Sequence, residues 1–137
     1  MMPTCYFHKA TRSIADLISV DSGEYLLTRV NVPDKYRNAG IGSRILDEIC
    51  KDADENGVTL VLEVVPSGGL TFHDLVRWYE RRGFESDERK FGMLMKRLPN
   101  ASSDIRRDGE IERTGFANHI RGVSSARSEG IMQGRDI

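Results

Sequence analysis

The sequence predicts an α/β (α+β) fold: a mixed, mostly antiparallel sheet flanked by helices. Three observations carry this. Short apolar and β-branched runs separated by turn residues fill the first 32 positions. Apolar residues then recur at helical spacing from Ile41. A continuous run over residues 59–65 lies between two helical segments, where a central strand belongs.

Taken in order, residues 4–8 and 14–20 read as short strands. Asp21-Ser22-Gly23 is turn chemistry, and residues 24–32 return as a longer strand ended by Pro33. Ile41, Ile45, Leu46, Ile49, Cys50 and Ala53 mark one face of a helix, with Gly57 placed for a left-handed C-terminal cap. The composition of 59–65 predicts a strand buried on both faces, broken by Pro66-Ser67-Gly68-Gly69. Thr71 and Asp74 form an N-cap pair for a second helix, which carries Leu75, Trp78 and Tyr79 and stops at Gly83. Residues 84–86 and 91–98 close the pattern as a hairpin.

Periodic signal ends near Pro99. Residues 100–137 hold six arginines, six acidic residues and several glycines and serines, with no sustained period. So little apolar surface predicts a flexible tail after a domain spanning 1–99.

Charge and cysteine content narrow the function classes. Twenty basic against 21 acidic side chains give a net charge of −1, so no polybasic field advertises nucleic acid or an anionic membrane. No apolar run reaches membrane-spanning length, and the N-terminus lacks a secretion signal. Cytoplasmic location is the expectation. Cys5 and Cys50 are too few and too far apart for a disulfide framework or a zinc site, and no metal is expected.

The chemistry concentrates in Arg37-Asn38-Ala39-Gly40-Ile41-Gly42, at the join of strand and helix. Glycines there let peptide N–H groups converge on an anion, and a helix N-terminus adds partial positive charge. A diphosphate suits that geometry. A P-loop does not fit, because no Gly-Lys pair occurs, and a dinucleotide fingerprint lacks its third glycine at Ile45. A plain structural turn remains open from the loop alone.

A second segment, Trp78-Tyr79-Glu80-Arg81-Arg82-Gly83-Phe84, joins the glycine loop and Leu62-Glu63-Val64 in a recognisable set. Over about residues 14 to 98 the chain resembles the GNAT superfamily of acetyl-CoA-dependent N-acetyltransferases. The resemblance implies a sheet whose two central strands splay to admit a thioester. It implies that Val30 and Val32 face pantetheine, and that Arg37, Asn38, Ala39, Gly40, Ile41, Gly42 and Ser43 wrap the diphosphate of acetyl-CoA. An N–H near Val32 would polarise the thioester carbonyl. Tyr79 would donate to the departing thiolate, and Glu63 would serve as base, directly or through water. His73 is a second candidate base.

An amine-bearing peptide, protein or small molecule is the implied acceptor. A catalytically weak acyl-CoA-binding or interaction module is the alternative. Two departures stand out. About thirteen residues precede Ile14, too few for the two helices that usually help build the acceptor side, so the acceptor pocket is minimal, supplied by a homodimer partner, or formed by the tail. Phe72 occupies the position where the family often has asparagine.

Overall fold

The computed structural model describes residues 2–21, 23–66, 69–86, 94–100 and 108–114. Chain order is β1 (Cys5–His8), β2 (Ser13–Asp21), β3 (Glu24–Asn31), a 3-10 turn (Asp34–Tyr36), α1 (Ile41–Asn56), β4 (Thr59–Glu63), α2 (Phe72–Glu80), β5 (Glu85–Ser86), β6 (Leu94–Arg97) and β7 (Ile111–Thr114). The seven strands form one sheet in the order β5-β6-β4-β3-β2-β1-β7. Only β3–β4 is parallel, because α1 connects those two strands as a crossover.

Both helices lie on the same side of the sheet. Trp78 Nε1 of α2 donates to Ser43 Oγ of α1 at 2.9 Å, and Arg82 Nε donates to Asp47 Oδ1 at 2.9 Å. Beneath them, Tyr6, Ala15, Leu17, Leu27, Leu60, Leu62 and Met95 meet Ile45, Leu46, Ile49, Leu75 and Tyr79 in one core. Complete burial of each large aliphatic side chain contributes about 1.5–3 kcal/mol. The helix caps follow the sequence. Gly57 ends α1 at φ +67, and Thr71 with Asp74 closes a full capping box on α2.

One-sided coverage corrects the reading of residues 59–65 as buried on both faces. Leu60, Leu62 and Val64 are buried, Thr59 and Val61 partly so, and Glu63 is exposed. β4 is central in the order, yet only its helix-facing side is sealed. Ile18 and Val20 are likewise exposed on the distal part of β2.

The larger correction concerns residues 100–137. Residues 111–114 are not part of a loose tail but form the edge strand β7, antiparallel to β1 with Tyr6 opposite Arg113 and His8 opposite Ile111. Residues 101–107 and 115–137 lie outside the described residues, as do Ser22, Ser67, Gly68 and the first part of the expected strand at 91–98. The missed strand is four residues long with one fully buried apolar side chain, Ile111, so hydrophobic periodicity could not mark it.

Polar contacts hold β7 instead. Arg44, Glu48 and Asp52 stand at i, i+4 and i+8 on α1. Arg44 Nε meets Asp108 Oδ2 at 2.7 Å, and Glu48 accepts the Asp108 N–H at 2.7 Å and pairs with Arg113. Asp52 accepts the Tyr6 hydroxyl at 2.6 Å and lies 3.1 Å from Arg113 Nε. Where the domain ends in the chain is thus a question the sheet itself raises, since its edge draws on residues beyond 99.

Burial also fixes a response to alkali. Cys50, on the inner face of α1, has its thiol pushed up to about 12 by burial. Between the ordinary thiol value and about 12 the folded chain keeps a proton that the unfolded chain releases. Stability is therefore full below about pH 8.5 and falls by up to about 1.4 kcal/mol per pH unit above it. Urea midpoints should be flat from pH 7 to 8 and decline from pH 9 to 11, with a smaller decline in Cys50→Ala. Equal declines in both proteins would refute the assignment.

Candidate active site

The site begins where the sheet opens. β3 and β4 pair from Glu24 opposite Thr59 to Leu27 opposite Leu62, and the ladder stops there. β3 continues to Asn31 alongside β2 only, leaving its β4-facing main-chain groups from Thr28 onward outside that ladder. Val32 follows at 1% exposure, and Val30 is also buried. The expected parting of two central strands is present.

Pro33 then turns the chain into the 3-10 segment, and the glycine loop carries it into α1. Arg37 is extended, Asn38 adopts φ +66 and Gly40 adopts φ +80 as the N-cap residue. Glycine accepts that left-handed backbone without penalty, and a Cβ at Gly40 would meet nothing within 4 Å. No side chain caps the helix. The first helical hydrogen bond in this turn runs from Arg44 N to Gly40 O at 3.0 Å, so the N–H groups of Ile41, Gly42 and Ser43 precede the helical ladder. Those donors and the macrodipole suit an anion, by about 0.3–2 kcal/mol for the dipole part. Arg37 braces the loop: its Nε donates to the Val32 carbonyl at 3.2 Å, and its NH1 pairs with Asp34 at 2.7 Å.

These elements border a cleft of about 490 Å³ between the loop and α2. Of the expected cofactor contacts, Val32, Arg37, Asn38, Gly40, Ile41, Gly42 and Ser43 line it; Val30 and Ala39 do not. Tyr79 and Glu63 are not brought to this wall. Tyr79 is buried in the core, edge-on to Trp78 at 4.9 Å and to Phe84 at 5.5 Å between ring centroids. Burial pushes its phenol up to about 12. Glu63 is exposed at the end of β4, opposite Leu94 of β6. His73 is exposed in the first turn of α2.

Sequence reasoning missed the opposite wall. Leu70, Asp74, Arg77, Trp78 and Arg81 line the cleft there, and Tyr36 of the 3-10 turn lines it as well. Residues 74, 77, 78 and 81 stand at i, i+3, i+4 and i+7, one stripe of α2 adjoining the Leu75–Tyr79 core stripe. That helical spacing was the available signal, had the polar stripe been read alongside the apolar one. Among the described residues no helix is long and apolar enough to cross a membrane.

A sheet split beside an uncapped, glycine-opened helix N-terminus is the geometry of the cleft, and such donors suit an anion. Residues 8–86, more than half of the chain, match the family described as an acetyltransferase (GNAT) domain, and the chain belongs to the GNAT acetyltransferase family. Among curated proteins none matches the sequence. Solved structures share the fold. A GNAT-family acetyltransferase from Staphylococcus aureus Mu50 is 20% identical at TM-score 0.53, over 64% of this chain and 60% of that one. The ribosomal-protein-S18-alanine N-acetyltransferase of Escherichia coli is 22% identical at TM-score 0.52, over 69% and 66%. The anti-CRISPR protein AcrVA5 is 24% identical at TM-score 0.56, over 68% of this chain and 97% of that one. The chain thus spans under two thirds of the first two proteins.

Proposed function

We propose that the chain transfers an acetyl group from acetyl-CoA to a primary amine, by direct attack within a ternary complex. The observation that supports this best is the parting of β3 from β4 immediately before the uncapped N-terminus of α1. A diphosphate on the loop donors would aim a pantetheine arm past Val32 and Val30 into that gap. A main-chain N–H near Val32 would then sit where the thioester carbonyl gains negative charge.

Tyr79 is assigned as hydrogen-bond donor to the departing thiolate. A phenol at about 12 stays neutral at every physiological pH. That lies well above a thiol of about 8.5, so by several kcal/mol the proton is favoured on the phenol, kept there or returned there. Glu63, at the surface end of β4, is assigned as base through a water relay, since the attacking amine must first lose a proton.

Tyr79→Phe should lower kcat by about a hundredfold, leave the Kd for CoA within about twofold, and leave the pH profile unchanged below pH 10. Unaltered kcat would make Tyr79 a core residue only. The placement of Tyr79 and Glu63 off the cleft wall favours a second reading, an acyl-CoA-binding module with little or no turnover.

Free-thiol release separates the two. Purified protein is incubated with acetyl-CoA alone, then with a panel of amines and peptides. Amine-dependent thiol release supports transfer. CoA binding without turnover across a broad panel supports the module. Trp78 is the chain's single tryptophan and lines the cleft, so its fluorescence gives a direct binding signal.

A further inference from the structure

Among the described residues, two cationic side chains on the cleft wall form no ion pair. Arg77 and Arg81 lie one turn apart on α2 and its C-cap, exposed, with Trp78 between them in sequence, and both line the cleft facing the glycine loop. Neighbouring arginines are all engaged. Arg37 pairs with Asp34, Arg44 with Asp108 and Glu110, Arg82 with Asp47, and Arg97 with Asp54. Among the described residues the Arg77 and Arg81 guanidinium groups have no ion pair or hydrogen bond. The nearby carboxylate, Asp74, is held in the capping box by the Thr71 N–H at 3.2 Å.

Like charges at i, i+4 repel on a helix. An anion between them would convert that repulsion into attraction, and guanidinium groups suit phosphate oxygens by their fixed fork of donors. The position is defined from the other side as well. The Trp78–Ser43 hydrogen bond clamps this stretch of α2 against the first turn of α1, whose N–H donors would be occupied by the diphosphate. A ligand gripped there and extended toward α2 would bring a further phosphate to Arg77 and Arg81.

We propose that Arg77 and Arg81 form a second phosphate subsite that selects the 3′-phosphomonoester of CoA, so that the chain distinguishes CoA from its 3′-dephospho form. This rests on the CoA reading given above and adds to it a determinant on α2, separate from the loop.

Calorimetric titration of the full chain with CoA and with 3′-dephospho-CoA, at low and at 0.3 M salt, tests it. The wild type should bind CoA about tenfold more tightly at low salt, with the gap narrowing as salt rises. In Arg77→Ala/Arg81→Ala the two ligands should bind alike, at about the wild-type affinity for dephospho-CoA, which also reports an intact loop. Equal affinities in the wild type would overturn the subsite while leaving the CoA reading in place. Loss of both affinities in the double variant would assign the arginines to the diphosphate and overturn it too. If the wild type binds neither ligand, the CoA reading fails and the subsite with it.

Discussion

Gly40→Val is expected to lower CoA affinity at least about a hundredfold while the protein stays folded. Gly40 sits at φ +80, where an L-residue pays about 1–2 kcal/mol and a β-branched one more. Space is not the obstacle, since a Cβ there meets nothing within 4 Å. The strain would instead rotate the peptides on either side and turn loop N–H groups away from the ligand. Loss of two charge-assisted hydrogen bonds, about 1.5 kcal/mol or more each, gives a hundredfold or greater change.

Gly57→Val is the matched control. Gly57 caps the other end of α1 at φ +67, also with nothing within 4 Å of a Cβ. Both variants should lose similar stability in urea, and only Gly40→Val should lose the Trp78 response to CoA. Parallel binding losses would mean the loop conformation is not what grips the ligand.

Arg113→Ala should be the most destabilising single change outside the apolar core, by about 3 kcal/mol or more. Glu48 is 1% exposed and Asp52 4% exposed, and Arg113 of β7 faces both across α1. Removing the guanidinium leaves two buried carboxylates whose remaining partners include Lys51 at 3.7 Å, the Asp108 N–H and the Tyr6 hydroxyl. Taking a shared counter-charge away from two buried carboxylates carries a penalty that a hydrophobic replacement of the whole group avoids. Glu48→Leu/Asp52→Leu/Arg113→Leu should accordingly recover most of the loss. Urea midpoints of the three proteins at pH 7 give the comparison. A change under about 0.5 kcal/mol in Arg113→Ala would show that β7 contributes little to the fold.

The two predictions probe features of unequal legibility. The glycine loop was readable because its chemistry is local. Strand, positive-φ glycine and helix N-terminus follow one another within a dozen residues, and each demands particular residue types. The same holds for the Thr71–Asp74 cap and for Gly57. β7 was not readable, because what holds Ile111–Thr114 against β1 is a set of contacts with α1 made more than 50 residues away. Its arginine and acidic residues looked like solvated tail chemistry until Glu48 and Asp52 were seen opposite them.

Composition and periodicity by themselves determined the α+β class, both helices with their caps, six of the strands in outline, and the loop that opens α1. Each of these depends on contacts between residues close in the chain, or on side-chain periods that backbone geometry imposes. Tertiary structure alone decided that both helices share one side of the sheet, that Tyr79 packs inward, and that Asp74, Arg77, Trp78 and Arg81 form the far wall of the cleft. It also decided that a segment beyond Pro99 completes the sheet edge. Such facts depend on which faces meet across long sequence separations. No single stretch of sequence encodes a meeting whose partner lies elsewhere in the chain.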